Sequence, residues 1–141
     1  MKNLVIIMLL ALLTSSCAKN DDSLVETFFK VYEEHGSNQA IDSLFSSNKW
    51  LVKSKTQVNK TKQDLAESLT LLGNYNGYEL ISVSKIGENL KHYTYLVRYD
   101  RQPLRFSITI YKSSNNWQVQ NFNYDYAFIE EINAASSFSH P

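Results

Sequence analysis

Midway along this chain the spacing of apolar residues changes from a helical period to strict alternation, and that change limits the architecture more than any other feature. Before it, Leu24, Val25, Phe28, Phe29, Val31 and Tyr32 recur at intervals of three and four, which places them on one face of a helix. Ser23-Leu24-Val25-Glu26 has the form of a capping box that would start this helix, and Gly36 supplies a left-handed residue to end it. Ser37 is then positioned to cap a second, short helix burying Ala40, Ile41, Leu44 and Phe45, with Trp50 and Leu51 at its exit. A third helix is expected over residues 56–72, where Val58, Leu65, Leu69 and Leu72 form one stripe and Lys60, Lys62, Gln63 and Glu67 stay outside it. Gly73 closes it.

From there on, β-branched and aromatic residues alternate with polar ones, and strands are expected over residues 78–86, 90–99, 104–111 and 117–124. In the second, Tyr93, Tyr95, Val97 and Tyr99 share one face while His92, Thr94, Leu96 and Arg98 share the other. Turns as short as Gly87-Glu88-Asn89 and Asp100-Arg101-Gln102-Pro103 permit only antiparallel neighbours, so the sheet is a four-stranded meander. A closing helix is expected over residues 126–135, and 136–141 are expected to fray. The order is α+β: three N-terminal helices packed on a curved antiparallel meander, cone-like, with a short C-terminal helix.

The first residues carry a separate message. Lys2, the apolar run 4–13 and the small polar patch Thr14-Ser15-Ser16 have the layout of a cleaved secretory signal. The run has ten residues, half of the roughly 20 that a membrane-crossing helix needs. Cleavage is expected between Ser16 and Cys17. The chain's one cysteine, standing at that point, resembles the lipobox of bacterial lipoproteins, with Thr14 where leucine is usual. That resemblance implies that Cys17 carries a diacylglycerol on sulfur and an acyl chain on its amine, and it gives a purpose to a thiol that has no intrachain disulfide partner. The expected organisation is a signal over 1–16, a lipidated cysteine and flexible tether over 17–22, and a single α+β domain over 23–135. Ala18-Lys19-Asn20-Asp21-Asp22 also resembles the export signal of surface lipoproteins of Bacteroidetes, although a plain solvated linker reads the same way. The expected address is the outer membrane, lipid-anchored, on its periplasmic or surface face.

Helices 24–32 and 40–45 around Gly36, the meander, and Asn116-Trp117-Gln118-Val119 in the last strands together resemble the nuclear transport factor 2-like superfamily. A cystatin-like or other helix-on-sheet fold is the competing resemblance. The first implies a cavity between helices and sheet, which serves as an active site in some relatives and as a ligand pocket or interface in others.

Fourteen basic and fourteen acidic residues leave the chain neutral, so nothing in the overall balance points to nucleic acid or to an anionic membrane. His35, His92 and His140 have no second ligand at a spacing typical of zinc sites, and the four glycines are too scattered to cradle a phosphate. No metal or cofactor is expected. Candidate pocket residues are His92, Arg98, Tyr95 and Asp125, with a solvated strand face as the competing explanation. Tyr93, Tyr99, Tyr111, Tyr124 and Tyr126 join Tyr95 in an aromatic population suited to lining a pocket or simply to packing a sheet. Asp22-Ser23-Leu24 and Asp42-Ser43-Leu44 resemble the short O-glycosylation site of exported Bacteroidetes proteins. The functional expectation is a non-enzymatic envelope lipoprotein binding a small ligand or a protein. The alternative is a small envelope enzyme of isomerase or hydrolase type working in the domain cavity.

Overall fold

A computed structural model describes residues 21–137. Cys17, Ser16 and the expected signal segment lie outside the described residues, as do His140 and most of the expected tail. The elements are α1 (Asp21–His35), α2 (Ser37–Ser46), α3 (Lys49–Val52), α4 (Lys55–Leu69), β1 (Tyr75–Ile86), β2 (Leu90–Tyr99), β3 (Leu104–Lys112), β4 (Trp117–Asp125) and α5 (Ile129–Ser137). The sheet is an antiparallel meander in the order β1-β2-β3-β4, as its short turns dictate. The α+β expectation therefore holds, with one added helical turn, α3, between the second and third long helices. None of the described helices is long and apolar enough to cross a membrane.

Local details depart from expectation for identifiable reasons. Asp21 and Asp22 are already helical, so Ser23 is the third residue of α1 and its carbonyl accepts from Thr27 Oγ1 at 2.6 Å. Gly36, not Ser37, is the N-cap of α2; its φ of 84° and ψ of 177° belong to a region open essentially to glycine alone, which lets α1 and α2 meet at a sharp break. β1 starts three residues before the expected position because Gly77 sits inside a register shift between Tyr75 and Tyr78, a bulge that interrupts the alternation. A second shift lies between Leu80 and Ser82.

The core is one cluster in which α1, α2 and α4 cover the inner face of the sheet. Phe28, Phe29 and Tyr32 from α1 meet Tyr95, Phe106 and Phe122, with ring centroids such as Phe28–Phe122 at 5.6 Å and Phe106–Phe122 at 5.3 Å. Edge-to-face and offset contacts of this kind add to the burial of the rings themselves. The middle of the space between helices and sheet is thus filled by side chains.

One polar side chain inside this core fixes the helical layer to the sheet. Asn48 is almost fully buried; its Oδ1 accepts from the backbone N–H of Trp50 at 3.0 Å and caps α3, while its Nδ2 donates to the Val119 carbonyl at 2.7 Å. The Val119 N–H donates to Ser47 Oγ at 2.9 Å, beside the register shift between β3 and β4 at Thr109 and Ile110. β4 is an edge strand of the sheet, and Ser47 and Asn48 satisfy the Val119 N–H and C=O there.

Candidate functional site

The four residues expected to share a pocket are dispersed. His92 Nδ1 bonds Thr109 Oγ1 at 2.8 Å on the outer face of the sheet. Arg98 shares that face but lies six residues along the strand, roughly 20 Å away, where it is exposed and reaches Glu79 at 3.4 Å. Its guanidinium lies against Gly77, where any Cβ would come within 2.8 Å of Nη2. Tyr95 points the other way, buried against Phe29 with centroids 4.7 Å apart. Asp125 is engaged by Arg105 through two bonds of 2.9 Å. Alternation explains the dispersal: consecutive residues of a strand face opposite sides, and a single strand carries its residues away from one another. No group of three or more metal-ligating side chains occurs among the described residues. Ser23 and Ser43 of the two glycosylation-like triplets both lie within helices and are partly buried.

A different set does converge, at the end of the molecule where α1 breaks and β1 begins. Tyr32 from α1 and Tyr99 from β2 share a hydrogen bond between their hydroxyls. Tyr75 packs on both rings, with centroids 5.3 Å from Tyr32 and 6.0 Å from Tyr99, and donates its hydroxyl to Glu33 Oε1 at 3.1 Å. These four line a concavity of about 540 Å³ together with Leu69 and the break at Gly36, within the size range of small-molecule sites. Burial pushes the Tyr32 hydroxyl up to about 12, against the opposing pull of its bond with Tyr99. Burial, then the neighbouring Tyr32, raise Tyr99 further, and burial followed by the charge of Glu33 raises Tyr75. All three phenols are therefore protonated at neutral pH. With Tyr75 donating to Glu33 and Tyr32 and Tyr99 bonded to each other, they supply apolar walls and one uncommitted hydroxyl proton, and they do not act as phenolate bases.

Asp100 braces Gly73 and Asn74, which line the same concavity. Its carboxylate accepts from the Asn74 N–H at 2.8 Å, from Asn74 Nδ2 at 3.0 Å and from Asn76 Nδ2 at 2.9 Å, and these bonds hold it below the usual carboxylate range. Gly73, with φ at 83°, is pressed so close to it that a Cβ would lie 2.8 Å from the carboxylate. The turn into β1 is fixed by this contact, which places Tyr75.

The sequence marked Tyr99 as one of six tyrosines and Tyr32 as part of a core stripe, but singled out neither Glu33 nor Tyr75. The available signal was chemical: a tyrosine in a core position where phenylalanine would pack equally well brings a hydroxyl that needs a partner. On the outer face a second polar cluster forms, in which Arg105 bridges Asp125 and Glu131 of α5, the latter at 2.8 Å. Among the described residues, Glu131 Oε2 is buried with no hydrogen-bond partner. Burial pushes Asp125 up, but the bonds from Arg105 and from the Ala127 N–H outweigh it and hold the carboxyl below its ordinary value. Each member of this cluster is tied to another, which is the arrangement of a structural clamp. No family model matches the chain, and neither a curated protein nor a solved structure does.

Proposed function

We propose that this protein is an outer-membrane lipoprotein, anchored through an acylated Cys17, that binds a small ligand without transforming it. One observation carries the binding half of this reading. The concavity beside Tyr75 is lined by three phenols and the Glu33 carboxylate, while the interior that would serve a cavity enzyme is filled by phenylalanine and tyrosine rings. Protonated phenols with one carboxylate favour a ligand that lays an apolar face on the rings and offers a hydrogen-bond donor or a positive charge to Glu33. The isomerase or hydrolase reading draws no comparable support, because His92, Arg98 and Asp125 are each engaged apart from the others.

The anchoring half rests on the lipobox-like Ser15-Ser16-Cys17 after the apolar run. Several acyl chains would hold the protein firmly, since each buried CH₂ adds about 0.8 kcal/mol of membrane binding. Native mass spectrometry of the protein purified from its host membranes tests both halves. The expected spectrum carries acyl mass on Cys17 and a retained small molecule that is lost in Tyr75→Ala. An unmodified Cys17 defeats the anchor, and a bare chain that releases nothing upon Tyr75→Ala defeats the binding role.

A further inference from the structure

Although the chain is neutral overall, its basic residues are not evenly spread. Between Ser43 and Gln63 there are five lysines and no acidic residue. Two of the five are compensated from outside the segment: Lys60 pairs with Asp64 at 2.7 Å and Lys62 with Asp42 at 2.8 Å. Lys49, Lys53 and Lys55 have no carboxylate within ion-pair distance among the described residues. Two of them flank one ring, with Lys49 Nζ 5.1 Å and Lys53 Nζ 5.3 Å from the centroid of Trp50. Trp50 itself is 62% exposed and its neighbour Val52 is 45% exposed. Beside them opens a hollow of about 300 Å³ with Phe45, Val52 and Val58 in its wall and Lys55 at its rim. The one carboxylate lining it, Asp42, is taken up by Lys62.

We infer that the face formed by α3 and the start of α4 docks on an anionic lipid surface, with Trp50 and Val52 entering the headgroup layer and Lys49, Lys53 and Lys55 meeting the phosphates. The residue types fit that environment: an indole has an apolar body and a polar N–H suited to the interface, and lysines lay their methylenes on apolar surface while the ammonium stays in the polar layer. The face is also held rigid in advance. Asn48 caps α3 and ties it to β4, so Trp50 is presented outward with little ordering left to occur on contact. A soluble acidic protein or a nucleic acid would satisfy the lysines but leave the apolar hollow and Val52 unused, so a bilayer is the better match. This surface is separate from the tyrosine-lined concavity and does not depend on acylation of Cys17.

The test uses the full chain with Cys17→Ser, so that no acyl group contributes, mixed with vesicles of phosphatidylcholine alone or of phosphatidylcholine and phosphatidylglycerol in equal parts, each carrying brominated chains. Tryptophan quenching is read, and the same chain with Trp50→Phe supplies the contribution of Trp117. The apolar leader is common to every sample, so the difference between the parent chain and its lysine variants on the same vesicles reports the α3 face. Quenching of Trp50 is expected only with the anionic vesicles. Each lysine at an anionic surface is worth roughly fivefold in affinity, so Lys49→Glu with Lys53→Glu should weaken the quenching midpoint by at least about 20-fold, as should high salt. Both positions are exposed, and circular dichroism verifies that the fold is retained. Equal quenching in neutral and anionic vesicles, or no effect of the two substitutions, overturns the inference. So does a Trp50 emission shift with polyglutamate or duplex DNA and none with vesicles, which would assign the face to a soluble polyanion.

Discussion

The two faces of the sheet are built on opposite principles. The inner face closes against α1, α2 and α4 through interlocking rings, and its few polar groups, such as Asn48 and the Tyr32 and Tyr99 hydroxyls, are matched to one another or to backbone. On the outer face, α5 is fastened chiefly by Arg105 between Asp125 and Glu131, over a shallow apolar hollow containing Ile81, Leu96 and Ile132. Apolar packing is non-directional and additive, so it sets the global stability. A charge cluster is directional and responds to pH, so it sets where one element sits. Losing α5 should therefore cost the molecule little, while losing one core ring should threaten the fold.

Phe106→Ala offers the most severe challenge to that division. Phe106 is fully buried between Phe28 and Phe122, and its removal should cost about 3–5 kcal/mol, read as a lower midpoint in urea unfolding with an unchanged slope. A loss below about 1 kcal/mol would mean that the ring-filled face is not what holds the molecule together. Asn48→Ala comes next, because it removes the α3 cap and leaves the Val119 carbonyl without its buried donor; about 2–4 kcal/mol is expected by the same measurement. Arg105→Met should have the smallest effect, under about 1 kcal/mol globally, yet release α5 as seen by faster amide exchange across residues 129–137. The same release should occur with acid. The native value of Asp125 is depressed, so its contribution is present above the ordinary carboxylate value near 4 and is lost as pH falls through the depressed one. Protection of α5 that survives both Arg105→Met and acid would erase the contrast between the faces.

The inner face was the legible one. Leu104, Phe106, Ile108 and Ile110 alternate without interruption, and β2 and the start of β3 fall where the pattern puts them. Val25, Phe28, Phe29 and Tyr32 likewise repeat at helical spacing and are all buried. The candidate site was not legible, because it is made by contacts between distant parts of the chain: Tyr32 and Tyr99 are 67 residues apart, and Tyr75 and Glu33 are 42 apart. Periodicity assigns a residue to a face but does not say which other face it will meet. Asn48 was overlooked for a related reason, since an asparagine between two helices reads as a solvated connector until the edge strand at Val119 reveals the backbone groups it serves. The lysine and tryptophan face is not legible in the net charge of the whole chain, which averages away a local excess.

The two bulges in β1 have a further consequence. β1 is an edge strand of 12 residues with Leu80, Val83 and Ile86 exposed, a combination that ordinarily invites another chain to extend the sheet and, by repetition, to form fibres. Each register shift bends the strand and misaligns its free N–H and C=O groups, so an incoming straight strand finds only residues 82–86 as an unbroken run to pair with. Protection against polymerisation is thus written into the backbone geometry of that border, and it is Gly77 that makes the first bend possible.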